Sequence, residues 1–172
     1  MKITKLIIFL LLIITTSCKP DLPHYGKVKD FGIQNFDFEQ VSNKVWIFNL
    51  FFTSCHGPCP RTMSNIRKIQ DKYNQLHIVS LSVDPSRDSE QELKKYAGKL
   101  DIDSSKWSLL VASKEKTKEI INSNFEIQAQ ENVNAHSNRI FLIDKNKNIR
   151  GSYVGIVDLD MERLDKDLDK LL

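Results

Sequence analysis

The sequence predicts an α/β protein: a mixed central sheet, helices on both of its faces, and a hairpin plus helix to close. Three observations carry that reading. Apolar runs of strand length (45–52, 78–83 and 139–144) alternate with stretches whose apolar residues recur every three to four positions. Only the polar turn Asp144-Lys145-Asn146-Lys147-Asn148 separates the last two strands. From Asp158 to Leu172, apolar residues stand at Leu159, Leu164, Leu168 and Leu171, which predicts a closing amphipathic helix.

Taken in order, Phe31 to Glu39 alternates loosely through Phe31, Ile33, Phe36 and Phe38, which predicts a short strand or hairpin ahead of the core. Asn43-Lys44 turns the chain into the first buried strand, Val45 to Phe52. Met63, Ile66, Ile69 and Tyr73 then keep the helical period from Arg61 to Tyr73. A second strand, Ile78 to Val83, stops at Asp84-Pro85. Ser89 with Glu92 three residues on has the form of an N-cap and its acidic partner, opening a helix to about Gly98. A third strand follows at Trp107 to Ala112, then a helix from Lys114 to Asn124. The hairpin Arg139–Asp144 and Ile149–Val154 precedes the closing helix. Strand, helix, strand, helix, then hairpin and helix is the thioredoxin-like order.

The first residues do not belong to this fold. Lys2 and Lys5 give a positive start, Leu6 to Ile14 is apolar, and Thr15-Thr16-Ser17 precedes Cys18. That is the pattern of a secretory signal, too short for a good membrane span. Small residues before a cysteine resemble the bacterial lipoprotein processing site, in which the cysteine is lipidated. The expected layout is a signal peptide at 1–17, lipidated Cys18 with a tether to 30, and one domain over 31–172. The domain is then extracytoplasmic, on the periplasmic side, and held to a membrane. Hydrophobic and charged contents of 41% and 27% are ordinary for a soluble globular chain. Once Lys2 and Lys5 are set aside, the basic residues barely outnumber the 22 acidic ones, so no nucleic-acid surface is expected.

Three cysteines leave an odd thiol in an exported protein, and lipidation of Cys18 resolves it. Cys55 and Cys59 remain, at a strand end and a helix start, with Gly57-Pro58 breaking the chain between them. A thiolate there meets unpaired backbone N–H groups and the positive end of the helix dipole, so its pKa falls. It is then both a nucleophile and a soft-metal ligand. A structural bridge is the weaker reading, because closing so short a loop removes little chain entropy. Pro60 presets the first helical turn, where its missing N–H costs nothing. His136, just before the hairpin, would complete a soft set of two thiolates and an imidazole suited to Cu(I), with room for Cu(II).

Three motifs together resemble the Sco/SenC family, the copper chaperones of cytochrome c oxidase assembly. They are Cys55-His56-Gly57-Pro58-Cys59-Pro60, Ser82-Val83-Asp84-Pro85-Ser86-Arg87-Asp88, and His136-Ser137 before the strand ending at Asp144. The resemblance spans about residues 30 to 172 and implies copper ligation by Cys55, Cys59 and His136. It also sets Asp84 and Asp88 near the site, although a strand stop at Asp84-Pro85 and a helix cap at Asp88 are the favoured reading of these two. There are departures. The family commonly has an aromatic residue and a histidine directly before the first cysteine, where Thr53-Ser54 stand here. His56 instead follows it, as a fourth ligand, a base for the thiol or a solvated side chain.

The implied function is copper delivery to the oxidase subunit that carries the dicopper site. The alternative is a thiol–disulfide oxidoreductase for the oxidase or another exported protein, in which Cys55 attacks and Cys59 resolves. His136 separates the two, since copper binding needs it and disulfide exchange does not. A thiol peroxidase is disfavoured, because Thr53 lies one residue too close to Cys55 for the Thr-x-x-Cys pattern. A general thioredoxin is disfavoured by the three-residue spacing and by Arg139 where that family has proline before the hairpin strand.

Overall fold

The computed structural model describes residues 21–129 and 138–172. Strand β1 (Trp46–Phe51) leads into helix α1 (Cys59–Lys72), followed by β2 (His77–Ser82), α2 (Glu90–Lys99), β3 (Trp107–Leu110) and α3 (Lys114–Ala129). The chain closes with β4 (Arg139–Ile143), β5 (Ile149–Val154) and α4 (Asp158–Leu171). The sheet order is β3-β2-β1-β4-β5, with β1, β2 and β3 parallel and β4 and β5 antiparallel to their neighbours. This is the mixed, thioredoxin-like sheet expected from the element order.

Alternation along β1 divides the interior into two cores. Trp46, Phe48 and Leu50 face Phe31, Phe36, Phe38, Ile120 and Phe125. Ile47 and Phe51 face Met63 and Ile66 of α1, Leu93 of α2, and Leu164 and Leu168 of α4. Phe48 and Phe125 stack with centroids 4.3 Å apart, which pins α3 across its face of the sheet. Asn49 is buried on the α1 side, where its amide accepts from Ser80 Oγ at 2.5 Å. Ser80 Oγ in turn accepts from Trp107 Nε1 at 2.8 Å, so a short polar chain crosses β1, β2 and β3 without leaving its members unpaired.

Two local expectations change. Phe31 to Glu39 forms no strand or hairpin; it runs as irregular chain into a 3-10 turn at Phe38–Val41, capped by the Asp37 carboxylate, which accepts from Glu39 N–H. Its apolar residues are spaced to reach the Trp46–Phe48 core, and that spacing imitates strand alternation. Residues 21–28, within the stretch expected as a tether, dock at the outer edge of β5 where that strand leaves the hairpin turn. Tyr25 N–H donates to Ile149 O at 3.0 Å, Ile149 N–H to Gly26 O at 2.8 Å, and Val28 N–H to Lys147 O at 2.8 Å.

At the end of the sheet away from the cysteines, His77 is 6% exposed, with Nε2 3.3 Å from Ser108 Oγ. Burial, reinforced by the Lys44 charge, pulls the imidazole from 6.5 down to about 4. The unfolded chain therefore binds a proton that the folded chain refuses, and stability falls as pH drops from about 6.5 towards 4. The expected loss between pH 7 and pH 5 is about 2 kcal/mol, and His77→Gln should flatten it. Urea titrations at the two pH values check this; equal slopes for both proteins would refute the assignment.

Candidate metal and redox site

The parallel strands β1 and β2 end together at Phe51 and Ser82. Past β1 the chain turns, with Cys55 N–H donating to Phe52 O at 3.3 Å, and enters α1 at Cys59. Pro58 is the N-cap residue and supplies no side-chain acceptor, while Pro60 occupies the first turn as expected. The head of α1 therefore keeps backbone N–H groups for a sulfur to use.

Cys55 and Cys59 are not joined by a disulfide and are 8% and 0% exposed. Burial pushes the Cys55 thiol up. Hydrogen bonds from the Cys59 thiol and from the backbone N–H groups of Cys59 and Gly57 outweigh it, and the net pKa lies below the usual cysteine value. Cys55 is thus primed as a nucleophile and soft ligand, and it is the more open of the two.

Asp88 is not the helix cap it resembles in the sequence. Ser89 caps α2, its side chain accepting from Glu92 N–H at 3.2 Å. Asp88 is 1% exposed and turns inward. Its carboxylate accepts from Thr53 N–H at 3.1 Å, Thr53 Oγ1 at 2.5 Å and Ser82 Oγ at 2.5 Å. One buried carboxylate so ties the start of the cysteine turn to the end of β2. Asp84 stands two residues past the end of β2, half-buried, accepting from Ser86 Oγ at 2.5 Å and facing Arg87 at 3.4 Å. His56 is exposed.

Two contributors escaped the sequence. Tyr96 of α2 lies with its ring 5.5 Å from that of Phe51. Burial pushes its phenol up to about 12, and the charges of Cys59, Cys55 and Asp88 push the same way. Arg87 reaches across to donate to Ser54 Oγ at 3.3 Å. The helical spacing of Leu93 and Tyr96 was a usable signal for the first; nothing local signals the second. His136 lies outside the described residues, and among those described no cluster of three or more His, Cys, Asp or Glu forms a metal-binding set.

The SCO1/SenC family model matches residues 25–172. The chain belongs to the SCO1/SenC family. A SCO1/SenC family lipoprotein from Bacillus anthracis str. Ames is 28% identical, superposes with a TM-score of 0.69, and is covered over 94% of its length by 88% of this chain. BsSco, a member of the Sco family of cytochrome c oxidase assembly proteins in which a disulfide switch was identified, has the same fold at TM-score 0.69 and 21% identity. Here 88% of this chain covers 95% of that one. Copper-bound ScoI of Bradyrhizobium japonicum shares the fold at TM-score 0.58 and 18% identity, over 78% of this chain and 88% of that one. Among the described residues no helix is long and apolar enough to cross a membrane.

Proposed function

We propose that this SCO1/SenC protein is a membrane-tethered copper metallochaperone serving assembly of the dicopper site of cytochrome c oxidase. Cys55, Cys59 and His136 are its copper ligands, and Cys18 is the lipid attachment point that follows a signal at 1–17. The observation that carries the reading is the adjacent, hydrogen-bonded Cys55 and Cys59 at the head of α1, with the Cys55 pKa lowered by donors from Cys59 and Gly57. Two thiolates suit Cu(I), the softest of the common biological metals. β4 begins at Arg139 and pairs Ile140 with Asn49, so it starts at the cysteine end of β1. His136 is three residues earlier, a reach of about 10 Å. Family membership and the copper-bound relative support the same reading.

Copper is cargo here, and this chain's part is to hold it and let it go. Two thiolates and one imidazole leave room for an incoming client ligand, so transfer proceeds by ligand exchange without a change in oxidation state. Asp88 holds the cysteine turn through Thr53 while this happens. A second reading has a specific support, since Cys55 is the more exposed thiol of a hydrogen-bonded pair and its own pKa is lowered. Its thiolate would attack a client disulfide; Cys59 would then displace the client, leaving a Cys55–Cys59 disulfide and a client dithiol.

His136→Ala decides between the two. Copper titration of the reduced protein lacking residues 1–18 should give one copper per chain. The variant should bind at least about 100-fold more weakly, since losing even an outer-shell partner of a metal site costs 10–100-fold. Weak binding that the substitution leaves unchanged would remove the metallochaperone reading in favour of disulfide exchange.

A further inference from the structure

Residues 21–28 dock on β5 through more than backbone pairing. The Arg150 side chain is 10% exposed and donates Nε to Pro23 O at 3.0 Å, Nη2 to Leu22 O at 2.5 Å, and Nη1 to Asp144 Oδ2 at 2.9 Å. It also pairs with Asp21. Asp144 is itself fixed, because its Oδ1 accepts from the N–H groups of Asn146 and Asn148 at 2.8 and 2.9 Å. The N-terminal strap is thereby bound into the domain as far as Asp21. Only Lys19 and Pro20 separate Asp21 from Cys18, a span of at most about 10 Å.

A second observation points to the same flank. The large apolar residues exposed among those described are Tyr25, Val157, Leu159 and Leu172, at 39%, 43%, 65% and 42%. Tyr25 is on the strap; the other three are on α4 or beside its ends. α4 packs on β5, Val154 N–H donating to Asp160 Oδ2 and Tyr153 Oη to Asp167 Oδ2, both at 2.8 Å. β3, at the other edge of the sheet, has none of these exposed residues.

We infer that the flank formed by the strap, β5 and α4 faces the lipid bilayer, which is its occupant, and that the cysteine pair works sideways at a set height above it. The inference rests on the reading of Cys18 as lipid-bearing. β1 is two strands in from β5, so it lies about 15 Å above the strap across the sheet at a strand spacing of about 4.8 Å. The strap pairs level with Trp46, and the cysteine end of β1 is about 17 Å further along the strands. With the short link added, the pair stays within about 25 Å of the lipid surface. The client class is thus a membrane protein whose receiving thiols or imidazoles lie within that height.

Trp46 and Trp107 provide the test. They sit on β1 and β3 at nearly the same level along the strands, since Trp46 pairs with His77 and Trp107 with Ile78. Their distances from the β5 edge differ by about 10 Å. The full protein, isolated from membranes, is reconstituted in phosphatidylcholine vesicles containing dansyl-labelled lipid. Trp107→Phe and Trp46→Phe each leave one donor. Energy transfer from Trp46 should be at least about twofold more efficient than from Trp107, given that separation. Equal or reversed transfer, with the lipid on Cys18 confirmed by mass, would overturn the flank assignment alone. An N-terminal peptide without lipid would overturn the anchor and this inference with it. Hydrogen exchange on the unsubstituted protein guards against core damage in the variants. Vesicle attachment should slow the strap and α4 amides relative to protein cleaved from its anchor and leave α2 and β3 unchanged; the opposite pattern would refute the orientation.

Discussion

Cys55→Ser will abolish tight Cu(I) binding. Serine keeps the shape of the turn but offers a hard, protonated hydroxyl where the metal needs a soft thiolate. The loss should exceed the roughly 100-fold that removal of an outer-shell partner costs a metal site. Competition against a chromophoric Cu(I) chelator measures it directly, and an unchanged affinity would remove Cys55 from the ligand set. The unsubstituted protein carries a companion signature. Cys55, with its lowered pKa and 8% exposure, should react with iodoacetamide faster than the wholly buried Cys59. Its rate should fall as pH drops through a value below 9.0, the ordinary pKa for the thiol. Peptide mapping after a short pulse separates the two sites, and preferential labelling of Cys59 would contradict the assignment.

Asp88→Ala should be the most damaging change outside the ligands. It strands three donors at once, Thr53 N–H and Oγ1 in a half-buried place and Ser82 Oγ in a fully buried one. Each bond to a charged acceptor is worth about 1.5–3 kcal/mol, and partial relaxation leaves an expected cost of about 3–5 kcal/mol. Asp88→Asn keeps one acceptor oxygen and should cost less than half as much. Because Thr53 opens the turn to Cys55, both variants should also weaken copper binding, by about 10–100-fold for the alanine. Chemical denaturation and copper competition on the same preparations test both parts. A stable Asp88→Ala protein with full affinity would show that the carboxylate neither holds the turn nor shapes the site.

Each sheet strand and helix was legible because its burial pattern is local. Trp46–Phe51 and His77–Ser82 are apolar runs of strand length, and Met63, Ile66 and Ile69 mark one face of α1. Asp88 was misread for the same reason that these were read correctly. It adjoins a true cap, Ser89, and local sequence cannot distinguish a carboxylate at a helix start from one turned inward to Thr53, 35 residues away. Phe31 and Phe36 were misread as strand because partners in a distant core select the same spacing. Arg150 lay in a recognised strand, yet its hold on Leu22 and Pro23 spans more than 120 residues of chain.

By itself, then, the order of elements in the sequence determined the α/β architecture, and Cys55-x-x-x-Cys59 determined that a thiol pair stands at a strand-to-helix junction. Periodicity and spacing are short-range properties, and a chain states them without being folded. Only the tertiary structure decided that Asp88 braces the cysteine turn, that Tyr96 stands beside it, and that the strap is part of the domain rather than a loose link. Those outcomes depend on which groups lose water together when β1, β2 and β5 assemble. A buried donor or acceptor takes the partner that the fold brings to it, however far away that partner lies in the chain.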